Sequence, residues 1–479
     1  MNPLLILFLF FFYFLLIFLI SHFTSKNATS LDFFNANKSS PWYIVAFGMI
    51  GTSLSGVTFI SVPGEVGNSN FSYFQIVLGY LLGYFVIATI LMPLYYKLNL
   101  VSIYTYLDKR FGFFSYKTGS FFFLLSRIIG SSFRLFLVAS VLQIIFFDSL
   151  NIPFFISVFI TISLIWVYTY KGGIKTIVWT DTLQTFFMLS AVIITILIIM
   201  NEMDLNFSKA KDIIISSSYS DVFIFDWKNE RFFLKQFFSG AFIAIVMTGL
   251  DQDMMQKNLT CKNLSDAQKN IFWFCIVLLF ANILFLTLGA LLYLYADFIQ
   301  MPVPSRTDNL YPLIAINHLS IFGSIIFLLG IIAAAYSSAD SALTSLTTAF
   351  CIDFLNFEKR NDIQKKSVRL KVHLLFSVII FFVIQIFNLI NDESVINAIF
   401  KAAGYTYGPL LGLFSFGILT NYKIIDRYSP IICFVSPILS YIINIYSESL
   451  LFGYRFGFEI LLLNGLITFV GLFLISLKK

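Results

Sequence analysis

A chain of 479 residues that is 58% hydrophobic, only 12% charged and carries 60 phenylalanines cannot hide so much apolar surface in a water-soluble fold. Its mean hydropathy of +0.87 places it in a lipid bilayer, where a formal net charge of +6 reflects topology and does not suggest a nucleic-acid partner. The cysteines (Cys261, Cys275, Cys351 and Cys433) and histidines (His22, His318 and His373) keep no metal or redox spacing, and there is no GxSxG, P-loop or dinucleotide fingerprint, so the residues point away from an enzyme.

In chain order, thirteen apolar runs predict an all-α polytopic membrane protein, each long enough at roughly 1.5 Å per residue to cross a core about 30 Å thick. The first, in residues 1–23, lacks a basic leader and a small-residue cleavage site and precedes the first lysine, Lys26. It reads as an additional, peripheral transmembrane helix. Five runs follow, about 42–66, 72–95, 119–147, 152–170 and 176–200, and form a block over 42–200. Beyond a polar excursion at 201–233 come about 234–256, 270–297, 321–350, 372–390 and 394–420, a second block of five over 234–420. Two peripheral helices, about 429–447 and 456–476, occupy 424–479.

Lysine and arginine near span ends favour the cytoplasmic side. With the N-terminus outside, the cytoplasm receives Lys97, Lys109, Arg110 and Lys117, then Lys257, Lys262 and Lys269. It also receives Lys359, Arg360, Lys365, Lys366, Arg369 and Lys371, and finally Lys478 and Lys479, while 201–233 lies outside.

The second and seventh runs are interrupted at corresponding places in the two blocks. GTSLSGVT (51–58) precedes Pro63-Gly64, and Gly240 and Gly249 flank AFIAIVMT ahead of LDQDMMQK (250–257). Matched breaks expose carbonyls at the bilayer midplane and mark a secondary transporter; the alternative is that the glycines only let helices pack closely.

Residues 333–350, AAAYSSADSALTSLTTAF, put seven Ser or Thr hydroxyls and an acid into the ninth run. Ser337, Ser341, Thr344 and Thr348, spaced by four, three and four, share one helix face. Such hydroxyls often only bond back to their own helix, but Asp340 costs about 2.5–3.5 kcal/mol near the bilayer centre and needs a cavity, a partner or an ion. In the fourth run Arg127 and Arg134, seven apart, nearly share a face. Asp181 or Asp251 would serve as a structural acid partner, or Arg134 would grip a substrate carboxylate with its planar fork. Asp181 reads, from the residues alone, as a helix cap after Gly172-Gly173.

GVTFISVPGEVG (56–67), SIYTYLDKRFG (102–112), GGIKTIVWTDTLQ (172–184), DQDMMQKNLTCKN (251–263), AAAYSSADSALTS (333–345) and AAGYTYGPLLGLF (402–414) resemble the motifs of the sodium:solute symporter family over nearly the whole chain. The resemblance implies a 5+5 inverted-repeat core of the leucine-transporter kind and sodium-coupled symport of a small organic solute across a bacterial inner membrane. It implies a sodium site on Gly51, Leu54, Ala334, Ser337 and Ser338, and in some members a second cation site, here Asp181, Asp340 and Ser341. Relatives more often carry serine at position 340. It places Ser53, Ser55, Thr58, Phe59, Arg134, Asp251 and Gln252 at the substrate. An arginine in the corresponding helix of the family's sialic-acid transporters points to an anionic solute such as a sialic acid or monocarboxylate. A monovalent anion would favour a second coupling ion, to be sought at Asp340. Proton coupling through Asp181 or Asp340, and a solute sensor working through a partner protein, are the rival readings; no obligate protein partner is evident.

Overall fold

The computed structural model describes residues 3–25, 35–355, 357, 362–390 and 395–477. Lys26, Lys359, Arg360, Lys478, Lys479 and the predicted start of the eleventh run at Ser394 lie outside the described residues. Among the described residues seven helices are long and apolar enough to cross a membrane, nine if each of two bent pairs is one span, and four shorter apolar helices accompany them. All fall on the predicted runs.

Helix α1 (Pro3–Ser25) precedes α2 (Trp42–Ser53), which ends where Leu54 leaves helical geometry (φ −84°, ψ 58°); Ser55 is extended and α3 (Gly56–Ser69) resumes. This is the break expected from the glycine- and hydroxyl-rich GTSLSGVT. Next come α4 (Tyr73–Val86) and α5 (Phe113–Leu142). The fifth and sixth runs form α6 (Phe154–Glu202), broken at Gly173, whose φ of 58° favours glycine. Asp181 lies eight residues beyond that kink, too far to cap it, so the capping alternative is set aside.

The seventh run is α7 (Phe233–Ala244), continued by π-type turns to Gly249 and bent by 69° into the short α8 (Gln252–Asn258). The break falls at Leu250-Asp251, after both glycines. Gly240 serves packing instead, because a Cβ there would run into the Ile76 carbonyl of α4.

Then follow α9 (Leu264–Phe298), α10 (Ile321–Leu355) and α11 (Asp362–Ile390). Helix α10 is buried without interruption from Gly330 to Ala349, so it is the central helix and its hydroxyls face protein on all sides. The eleventh run is two helices, α12 (Val395–Thr406) and α13 (Gly408–Leu419), bent by 48°. From α15 (Ile460–Leu474), Asn464 Nδ2 donates to the Gly404 and Tyr405 carbonyls (3.1 and 2.9 Å) beside this bend. Helix α14 (Ser429–Ile445) packs on α15, and a two-residue ribbon joins β1 (Lys423–Ile424) to β2 (Ser476–Leu477).

Two peripheral assignments change. Tyr13 and Ile17 of α1 are buried; Tyr13 accepts a bond from Gln184 Nε2 of α6 (3.0 Å) and its ring lies 6.1 Å from that of Tyr336 on α10. Helix α1 is therefore packed against the core, because the Tyr336 face of α10 needs an apolar cover. Lys257, expected among cytoplasmic loop charges, is 1% exposed inside the bundle, where the bend after Gly249 carries α8.

Candidate cation and solute site

The end of α2 meets the hydroxyl-rich stretch of α10. A Cβ on Gly51 would sit 3.1 Å from Ser337 Oγ and 3.4 Å from the Asp181 carbonyl and would collide with Thr185 Oγ1, so only glycine lets the α2 backbone approach so closely. Just past the break, a Cβ on Gly56 would lie 4.0 Å from the Ala335 amide. Ser337 Oγ is buried and has no hydrogen-bond partner among the described residues, whereas Ser338 Oγ bonds back to the Ala334 carbonyl at 3.2 Å. An orphaned buried hydroxyl costs about 1–3 kcal/mol. Oxygen ligands around a backbone cradle suit a hard cation; of the five residues expected to hold sodium, the structure brings Gly51 at the end of α2 beside Ser337 of α10, with Ala334 and Ser338 on the same helix.

The second expected cation set is built differently. Lys257 Nζ donates to Asp181 Oδ2 (2.6 Å), to Ser341 Oγ (2.7 Å) and, at close range, to Thr52 Oγ1, which itself donates to Asp181 Oδ2 at 2.9 Å. Asp181 is 0% exposed. Asp340, also buried, accepts from the Ser341 amide at 2.5 Å.

Toward one end of the bundle lies a second buried charge cluster. Arg127 donates at close range to Asp253 and lies 3.8 Å from Asp251, while Tyr407 OH donates to Asp251 Oδ2 at 2.5 Å. Asp251 also caps α8 by accepting the Asp253 amide at 2.8 Å. Arg127 thus takes Asp253 and Asp251 as partners, and Asp181 takes Lys257. Gln252 holds the connection before α5, accepting the Ile103 amide (2.9 Å) and donating to the Val101 carbonyl (2.7 Å).

Between the clusters is a cavity of about 90 Å³, lined by Ser53, Ser55, Thr58, Arg134, Tyr84 and Asn282 among others. Four expected substrate residues, Ser53, Ser55, Thr58 and Arg134, are therefore together. Three are not. Asp251 and Gln252 are committed to the cap and the connection at the start of α8, and Phe59, a helical step on from Thr58, turns into an aromatic cluster with Tyr311, Phe327 and Phe285 at centroid distances of 5.3, 5.8 and 6.1 Å. Among the described residues Arg134 makes no hydrogen bond or ion pair, unlike Arg127.

The cavity shares Tyr73, Ile396 and Phe400 with a vestibule of about 620 Å³ lined by Glu65, Arg231, Asp308 and Lys401. Arg231 pairs with Glu65 at 3.1 Å, and burial holds the Asp308 carboxyl above the usual carboxylate range, opposed by a bond from the Val395 amide. Sequence reasoning missed Lys257, Tyr407 and Asn282. An amide in the middle of the apolar run of α9 was a readable signal for Asn282; nothing in QKNLTCKN distinguishes Lys257 from a loop charge.

The profile of the sodium:solute symporter family matches residues 33–422. The sodium/sialic acid symporter NanT of Aliivibrio fischeri is 25% identical over 429 residues, covering 84% of this chain and 80% of its own. Sodium-coupled monocarboxylate transporter 1 of Xenopus laevis is 24% identical over 82% of this chain, which spans 63% of that longer protein. A solved structure of a Na+-coupled sialic acid symporter in a substrate-bound outward-open state superposes with a TM-score of 0.83 at 19% identity, covering 99% of each chain. A nucleobase-cation-symport-1 family transporter gives 0.56 at 15% identity over 91% of this chain and 92% of its own. A match over most of the length, on a fold of paired broken helices, makes this multi-pass membrane protein a member of the sodium:solute symporter family and its work the sodium-coupled symport of a small solute.

Proposed function

We propose that the solute is a small organic anion carrying a carboxylate, and that Arg134 holds it. The observation that carries this reading is the contrast between the two arginines of α5: Arg127 is paired with Asp253 and Asp251, whereas Arg134 lines the cavity and, among the described residues, makes no ion pair or hydrogen bond. A guanidinium inside a membrane protein calls for an anion, and its planar fork suits a carboxylate. The hydroxyls of Ser53, Ser55 and Thr58 and the amide of Asn282 would take up polar groups on the rest of the solute. NanT and the monocarboxylate transporter, which carry acids by their names, favour the same class.

In this reading residues 42–200 and 234–420 are the two inverted repeats and the N-terminus lies outside the cytoplasmic membrane of a bacterium. The vestibule then opens outward. Sodium at Gly51, Leu54, Ala334, Ser337 and Ser338 ties α2 to α10 and completes the cavity; solute binding lets the bundle close over Tyr73 and Phe400. Inside, low sodium releases the ion. One positive charge moving through 100 mV gains about 2.3 kcal/mol, which a co-transported monovalent anion offsets, and a tenfold sodium gradient adds about 1.4 kcal/mol.

The test is uptake into proteoliposomes of radiolabelled sialic acids, monocarboxylates, amino acids and sugars, with a sodium or a potassium gradient. Accumulation of an acid only with sodium is the expected result. Preference for a neutral sugar overturns the anion assignment, and uptake that persists without sodium and collapses with a protonophore overturns the coupling ion.

A further inference from the structure

We propose that this transporter carries its own second cation: the Lys257 ammonium fills the site formed by Asp181 and Ser341, so one sodium ion binds per chain. The inference rests on the sodium-coupled reading above and concerns how many ions that reading involves.

The geometry is that of an occupied cation site. An ammonium has three N–H donors and no acceptor. Those of Lys257 have three oxygen partners, Asp181 Oδ2, Ser341 Oγ and Thr52 Oγ1, drawn from α6, α10 and the end of α2. Both charged side chains are sealed from solvent, at 1% and 0% exposure. Burying a lone ammonium or a lone carboxylate is far more costly than burying the bonded pair. A sodium ion admitted beside Asp181 would have to displace the ammonium from the three oxygens that hold it, or share the carboxylate with it through Oδ1, which has no hydrogen-bond partner among the described residues, against the repulsion of the two positive charges. Two of the three residues expected to hold a second cation are thus engaged by a charge the chain supplies.

The set at Gly51 and Ser337 differs in this respect. Its buried Ser337 hydroxyl has no partner among the described residues, and no basic side chain is bonded to it there. The two neighbouring positions therefore divide the work: one offers an unbonded hydroxyl to an exchangeable ion, and one holds a fixed ion on a covalent tether. The tether leads to α8, directly after the break in the second block, so a charge that a free ion would bring from solution instead travels with a moving helix. Sodium at the first set then carries the only exchangeable positive charge, and symport with a monovalent anion is electroneutral.

Equilibrium binding of radioactive sodium to the purified full-length protein, without solute, tests this. The wild type is expected to saturate at a single sodium per chain without cooperativity. Lys257→Ala should double that capacity, Lys257→Gln providing the same vacated charge should a truncated side chain fold poorly, and Asp181→Asn added to either should return the capacity to its starting value. Wild-type saturation at two ions overturns the proposal while leaving sodium coupling intact, as does unchanged capacity in a folded Lys257 variant. Absence of any sodium binding by the wild type overturns the coupling itself.

Discussion

Ser337 and Gly51 meet because one lacks a partner and the other lacks a side chain. Replacing Gly51 by alanine puts a methyl into the cradle, 3.1 Å from Ser337 Oγ and against Thr185, whose hydroxyl is already bonded to the Asp181 carbonyl at 2.8 Å. Gly51→Ala should therefore abolish the rise in melting temperature that sodium gives the wild type, while Gly130→Ala, which meets open space in α5, should retain it. Equal sodium shifts in both variants would remove Gly51 from the site. At Arg134, lysine keeps the charge but loses the fork, and a charge-assisted hydrogen bond is worth about 1.5–3 kcal/mol, roughly ten- to a hundredfold in affinity. Arg134→Lys should weaken a carboxylate substrate by that factor and its amide analogue much less; equal losses in competition uptake would make Arg134 a structural residue. Ser337 was legible because hydroxyls at helical spacing declare a face from the sequence alone. Lys257 was not, because its role depends on where a seven-residue helix lies, which only the bend at Leu250-Asp251 decides.

The helices are joined at their breaks. Asp251 stands at the bend between α7 and α8, Tyr407 at the bend between α12 and α13, and a 2.5 Å hydrogen bond links them. The first two breaks were readable from glycines and hydroxyls. The third was missed although Gly408-Pro409 announces it, since proline within the first turn marks a helix start and here begins α13. If this bond couples the two bends, Asp251→Asn and Tyr407→Phe should each cost about 1–3 kcal/mol of stability and the double variant distinctly less than their sum. Denaturation in mild detergent measures all three. Additive losses would mean that the bends are held independently, with the aspartate acting mainly as the cap of α8 and the neighbour of Arg127.

Across the whole molecule the solute cavity communicates with the vestibule at one end and is sealed at the other. The seal centres on Asp353, at the end of α10, whose carboxylate accepts bonds from Ser102 (3.1 Å), Tyr116 (2.8 Å) and Ser120 (2.6 Å). Lys117 donates to its carbonyl, and Arg110 ties the same connection to the Gly417 and Thr420 carbonyls beyond. These contacts join the connection before α5 to α10, the helix that carries Ser337, and on the proposed mechanism they break when this end opens. On the proposed mechanism sodium bridging α2 and α10 favours that same state, and a ligand's apparent affinity falls with the population of the state that binds it. Asp353→Ala removes three hydrogen bonds of about 1 kcal/mol each. If half of that is felt as a shift toward the oppositely open state, sodium affinity drops roughly tenfold. The expected outcome is a weaker sodium-induced thermal shift together with faster hydrogen exchange over residues 100–112, both reversed by high sodium. Faster exchange with unchanged sodium affinity would show that the closed end and the cation site are not coupled through α10.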